Sequence, residues 1–159
     1  MKNVLVLCLL LLSFTSSAQP DVIHLTKDSL SYRFENGWKL KRGDSLVYSL
    51  SNYNDEGWSS VANTLYIKKD SLKKVVWLRL NFSIDTSLAD VSMALGIEQY
   101  GASEIYVDGK KVESFGEIGS KKTINYYDPK GWPVIVPALA AGEHVLAVRY
   151  ANLDAGERA

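Results

Sequence analysis

From Val22 onward the apolar residues recur mostly at every second position, and Gly, Asn, Asp and Pro interrupt them at short intervals. This is the pattern of β-strands that bury one face. The clearest run is Val75 to Ile84. Val76, Leu78, Leu80, Phe82 and Ile84 fall on one face of it, and Val75, Trp77, Arg79, Asn81 and Ser83 on the other. The first set is a core face. The second sets an indole beside a guanidinium, an unusual choice for a plain solvent face, and so marks a candidate binding surface. Further strands are expected at Leu30 to Phe34, Trp38 to Arg42, Thr64 to Ile67, Val91 to Ile97, Glu104 to Val107, Lys111 to Ser114, Pro133 to Val136 and His144 to Ala151. Asp108-Gly109 supplies the positive φ angles of a two-residue type I′ turn, so Glu104 to Val107 and Lys111 to Ser114 form a hairpin. No stretch of ten residues carries a helical apolar stripe. Asn52 to Ala62 reads as a loop or single helical turn, and Glu117 to Trp132 as a long Greek-key crossing between sheets. Short strands with frequent turns predict an all-β fold, an antiparallel β-sandwich of the jelly-roll type, rather than a parallel α/β sheet.

The N-terminus departs from this pattern. Met1-Lys2-Asn3 precedes the apolar run Val4 to Leu12, and small residues stand at Ser16 and Ala18. These are the marks of a secretory signal cleaved after Ala18. An uncleaved anchor is the alternative, but the run falls short of the roughly 20 apolar residues that span a bilayer. The only cysteine, Cys8, lies inside this run and lacks the preceding small residue of a lipidation site. The mature chain therefore has no disulfide, which suits a bacterial periplasmic or cell-surface protein better than a small stapled secreted domain. The expected organisation is a signal at 1–18, one sandwich domain at 19–153, and a tail at 154–159 that begins a further region if the parent protein is longer.

Charge narrows the function classes. Lys and Arg number 18 and Asp and Glu 18 over 159 residues, and loss of Lys2 with the signal leaves 17 against 18. A near-neutral surface without a basic stripe argues against a nucleic-acid binder. With 47% hydrophobic residues the chain is able to bury a core, which excludes disorder.

Catalytic constellations are missing from the pattern. His24 and His144 are the only histidines, and neither accompanies a serine in a Gly-x-Ser-x-Gly elbow. No histidine pair or calcium loop stands at ligand spacing, so no cofactor is expected. A structural calcium ion held by scattered loop carboxylates and carbonyls is the alternative that spacing leaves open. Glu98 and Glu104 flank the Gly101 turn, but acids at strand ends read as solvated rim residues before they read as a glycosidase pair. The informative cluster mixes aromatic and polar groups, as sugar sites do: Trp77 and Arg79, then Glu98-Gln99-Tyr100, Tyr126-Tyr127 and Trp132, then Arg149 and Asn152. The candidate ligand contacts are Trp77, Arg79, Glu98, Tyr100, Trp132, Arg149 and Asn152. The bland alternative is that these rings simply pack, and Trp38 and Trp58 are expected in the core.

Four segments, in order, carry a resemblance. Asn54-Asp55-Glu56-Gly57-Trp58 resembles the Asp-Asp-x-x-Trp element of the galactose-binding-like jelly-roll domain at the N-terminus of family 2 glycoside hydrolases. Val76 to Phe82 resembles its Trp-Tyr-Arg-x-x-Phe strand. Ile97 to Lys110 is similar to its segment ending in Val-Tyr-Val-Asn-Gly-Lys, with Asp108 for the usual Asn. Ala141 to Asn152 is similar to its closing strand. The wording at Ile97 to Gly109 and Ala147 to Asn152 also resembles N-terminal ectodomains of Bacteroidetes-type membrane signalling proteins. The resemblance implies a non-catalytic, exported module for a carbohydrate or similar small polar ligand, the sensor ectodomain of a membrane signal-transduction protein with its output domains downstream. The alternatives are an accessory domain of a glycoside hydrolase and a structural interaction module of the envelope.

Overall fold

In the computed structural model of the chain, which describes residues 22–28, 31–61, 75–119 and 124–152, the strands are β1 (Ile23–Leu25), β2 (Trp38–Arg42), β3 (Ser59–Val61), β4 (Val76–Ile84), β5 (Met93–Leu95), β6 (Ala102–Val107), β7 (Lys110–Phe115), β8 (Glu117–Ile118), β9 (Ile124–Asn125), β10 (Val134–Val136) and β11 (Gly142–Ala151). Single 3-10 turns at Leu46–Ser49 and Thr86–Leu88 complete the regular structure of the described residues. No helix among them is long and apolar enough to cross a membrane.

The alternating run at Val76–Ile84 becomes the centre of the main sheet, whose order is β3-β2-β4-β11-β6-β7. β11 lies antiparallel along the whole of β4, from Gly142 opposite Ile84 to Tyr150 opposite Val76. The other edge of β4 is divided. β2 pairs with its first half, Arg42 opposite Val76 and Lys39 opposite Arg79, and β1 pairs with its last three residues. β1 runs parallel to β4, the exception among the described pairs to the expected antiparallel pattern. The β6–β7 hairpin turns at Asp108 and Gly109 with φ of 49° and 80°, both positive as a type I′ turn requires.

A second layer covers the inner face of this sheet. β5 and β10 form a two-stranded antiparallel sheet, and Val134 and Val136 pack with Leu78, Leu80, Phe82, Ile84, Ile105, Leu146 and Trp38 in the main core. The connection after β7 carries the chain from the main sheet to β10, with the small β8–β9 hairpin on its way. The fold is thus a β-sandwich with unequal layers.

The elements differ from the sequence pattern in identifiable places. Ser31 to Phe34 carries no strand. Phe34 instead accepts the indole N–H of Trp38 at its carbonyl, 2.8 Å away, and packs beside the core. Val91 to Ile97 contracts to Met93–Leu95. β1, β3, β8 and β9 were not expected, because two or three residues are too few to show a period. The strand expected at Thr64 to Ile67, the signal segment and the tail lie outside the described residues.

Candidate functional site

The face of the main sheet opposite the core gathers the residues that looked unusual for solvent. Strand register lines up Lys39, Arg79, Ala147 and Tyr106 in one row and Lys41, Trp77, Arg149 and Glu104 in the next. The segment from Asp44 to Trp58 crosses over these rows. Arg79 donates from Nε to Asp55 at 2.8 Å and from its terminal nitrogens to the carbonyls of Tyr48, Leu50 and Tyr53 at 2.6, 2.9 and 3.4 Å. Lys39 meets the other oxygen of Asp55. Burial alone would raise the Asp55 carboxyl, but the hydrogen bonds from Lys39 and Arg79 outweigh it and hold it below the ordinary carboxylate range.

Aromatic rings close the remaining space. Trp58, Trp77 and Tyr106 form a second core with Ala147, and Tyr48 and Tyr53 pack on it. Tyr48 meets both Trp58 and Trp77 edge to face, at 5.3 and 6.0 Å. The Lys41 ammonium lies 5.0 Å above the Tyr48 ring and 5.8 Å from those of Tyr53 and Trp58, a cation–π arrangement. Trp77 is 0% exposed and Arg79 2%. Neither has surface to offer a ligand, so the expectation that they contact one is corrected. Together with Trp58 they form a core, and Trp38 lies in the other one as expected.

Arg149 is similarly committed. It holds Asp44 through Nε and Nη2 at 2.7 and 2.6 Å and Glu104 through Nη1 at 3.1 Å. The Tyr106 hydroxyl donates to the same Glu104 oxygen at 2.8 Å. Burial would raise Glu104, but bonds from Tyr106 and Arg149 keep it below its ordinary value. Burial, together with the Glu104 carboxylate, pushes the Tyr106 phenol up to about 12. This network crosslinks the Asp44 loop to β11 and β6.

The remaining candidates lie at the end of the sandwich where β11 finishes. Tyr150 donates its hydroxyl to the carbonyl of Tyr100 at 2.7 Å, and the Asn152 amide reaches the same oxygen. Gln99 donates to the carbonyl of Tyr127 at 3.2 Å, and Tyr127 N–H to that of Gly101 at 3.0 Å. Tyr127 stacks on Phe115 with a 10° angle between rings. These bonds fix a rim from which Tyr100 (79% exposed) projects, with Glu98 also exposed nearby in sequence; Trp132, 75% exposed, bonds through its N–H to the Pro129 carbonyl. The seven candidates therefore separate: Trp77, Arg79 and Arg149 lie on the covered face, Tyr100 and Asn152 are joined at the rim, and Glu98 and Trp132 are exposed.

An open cleft adjoins that rim. Its volume is about 870 Å³, within the roughly 300–1,000 Å³ usual for small-molecule pockets. Trp38, Leu78 and Phe82 form its floor, Met93 and Leu95 line it from the second layer, and Arg33, Glu98, Gln99 and Tyr150 stand among its polar lining. Except for Glu98 and Gln99, these residues carried no ligand signal in the sequence, because the cleft arises from the mismatch between a seven-stranded layer and a two-stranded one. Sequence alternation contains no record of that.

Chemistry elsewhere is sparse. His24 Nδ1 pairs with Ser83 Oγ, yet among the described residues no carboxylate faces its second nitrogen. His144 bonds Asp108 at 2.7 Å and the Ala140 carbonyl at 2.9 Å. The described residues contain no group of three His, Cys, Asp or Glu side chains able to hold a metal.

No protein-family model matches the sequence, and no curated protein matches it significantly. Solved structures do match the fold. The β-glucuronidase of Bacteroides uniformis aligns over 73% of this chain at 18% identity with a TM-score of 0.55. B. uniformis β-glucuronidase 2 bound covalently to a cyclophellitol-6-carboxylate aziridine aligns over 73% at 18% and 0.53, and a calcium-binding mutant of that enzyme over 76% at 21% and 0.54. In each case the chain spans only 14% of the other protein's length. The shared feature is a β-sandwich domain.

Proposed function

We propose that this chain is a non-catalytic β-sandwich domain that serves a larger glycoside-hydrolase-like protein, exported to the periplasm or cell surface. One observation carries the reading: three-quarters of the chain superposes on a piece amounting to 14% of each β-glucuronidase. Two features support it. The polar groups of the covered face are used in holding the domain together, and the rim at Tyr100, Glu98 and Asn152 is the surface we assign, together with the exposed ring of Trp132, to a saccharide or to the catalytic partner domain. The sensor-ectodomain reading gains nothing from the structural likeness, so the hydrolase-accessory reading, the alternative at the sequence level, is preferred.

The test is to express the chain alone and the whole open reading frame that contains it, and to assay both on aryl β-glucuronides and β-galactosides. The chain alone is expected to be inactive and the whole product active. An open reading frame that continues into membrane spans and a kinase, cyclase or phosphatase domain replaces this reading with the sensor one.

A further inference from the structure

We propose that the interlayer cleft is a binding site for the apolar tail of an uncharged amphiphile. The reason begins with the unequal layers. The inner face of the main sheet must be covered along its breadth, but β5 and β10 supply only two strands of three residues each. Trp38, Leu78, Phe82, Met93 and Leu95 consequently border a space of about 870 Å³ instead of filling one another's gaps. Close packing is the norm in protein interiors, and a cavity walled by such side chains takes up apolar guests readily.

The polar lining selects the other end of the guest. Arg33 and Glu98 bring opposite charges, so neither an anionic nor a cationic head is favoured overall. Gln99 and Tyr150 are held by their bonds to the Tyr127 and Tyr100 carbonyls, and the exposed ring of Tyr32 also borders the cleft. The donors of Gln99 and Tyr150 are spent in those bonds, so what these two offer beside the apolar slot is acceptor oxygen, which fits a head that carries hydroxyls, with an alkyl or aryl tail lying inward. The tail assignment stands on the cleft alone. Only the choice of a sugar head rests on the proposed function.

Calorimetric titration of the folded chain with hexyl, octyl and decyl β-glucoside below their micelle-forming concentrations tests the proposal, with octyl tetraethylene glycol and free glucose alongside. Saturable binding of one alkyl glucoside per chain is expected, tightening roughly three- to fourfold for each added methylene. Met93→Trp, which fills the slot, is expected to weaken decyl glucoside at least tenfold. Ile135→Trp, on the outward side of β10, is expected to leave it unchanged. Equal affinity for octyl glucoside and octyl tetraethylene glycol, with the chain-length dependence of the glucosides intact, upholds the tail site and removes the saccharide assignment. Affinity independent of chain length, or binding that both tryptophan variants affect alike, overturns the tail site. The wild-type series decides the matter even if Met93→Trp fails to fold.

Discussion

Arg79 and Asp55, 24 residues apart, form a 2.8 Å ion pair beneath the surface that ties the Tyr48 to Trp58 segment to the central strand of the sheet. Its role is set by what surrounds it. Both carboxylate oxygens are taken, by Arg79 and Lys39, and the guanidinium is shared with three backbone carbonyls. Removing one partner leaves a buried charge or orphaned carbonyls. Arg79→Met is therefore expected to cost about 3–5 kcal/mol of stability, measured as a lower urea midpoint. Near-ultraviolet circular dichroism is expected to report loosening of the Trp58/Trp77 cluster. A midpoint within experimental error of wild type contradicts this role.

Acid acts on the same pair. The carboxyls of Asp55 and Glu104 sit below their ordinary values in the folded chain, so the unfolded state takes up protons first as pH drops. Their contribution is complete above the unfolded carboxylate range near 4 and disappears as pH falls through the folded values. Urea midpoints are expected to hold from pH 7 to about 5 and then decline, and the decline is expected to be shallower in Asp55→Asn. A wild-type profile that stays flat down to pH 3 rules this out.

At the alkaline end the sign reverses. Tyr106, pushed up to about 12, keeps its proton after the unfolded phenol has begun to lose its own near 10. The folded state binds the extra proton, so stability falls as pH rises from about 10 to 12. Burial raises the Tyr150 phenol as well, so Tyr106→Phe is expected to reduce that slope, and difference spectra of phenolate formation in wild type are expected to show two tyrosines titrating late.

Two glycines hold the rim. A Cβ on Gly101 would stand 2.5 Å from the Ala151 carbonyl and 2.9 Å from the Tyr150 hydroxyl, and one on Gly116, at φ +72°, would meet the Asn125 carbonyl. Gly101→Ala is expected to destabilise by about 1–3 kcal/mol through crowding, and Gly116→Ala by more because the backbone conformation also resists a side chain. Thermal midpoints of the two variants check both the size and the order.

Asp108 tests the hairpin. One of its oxygens accepts the Val145 N–H at 2.9 Å and the other faces His144, while its backbone sits at φ +49°. Asp108→Asn retains an amide oxygen for Val145 and a residue tolerant of left-handed backbone, whereas Asp108→Ala retains neither. Alanine is expected to cost about 1–3 kcal/mol more than asparagine in a denaturant titration.

The fold was largely legible because long strands announce themselves. Val76, Leu78, Leu80, Phe82 and Ile84 occupy the inner face that their alternation assigns, and Asp108-Gly109 turns as its composition demands. The site was less legible. Alternation says which side chains of one strand share a face, so Trp77 and Arg79 fall together opposite the core face of β4, but it is silent on which residues of β11 lie beside them and on whether another segment crosses above. Asp55 and Trp58 were visible as a motif, and their partner was visible as Arg79. The link between the two is made by a 3-10 turn at Leu46–Ser49 that has no period to read. The cleft depends on the relative breadth of two layers, a property of assembly that no single strand encodes.

The placement of β11 bears on how the chain comes to be folded in a cell. Among the described strands it is the last in sequence, yet it lies between β4 and β6 in the middle of the sheet. While the chain is being synthesised, β4 and β6 have no neighbour on their facing edges until Gly142 to Ala151 has emerged. Open edges of this kind recruit other chains, and distant pairings form slowly. A holding chaperone would keep those edges apart from other molecules until β11 arrives to close the gap.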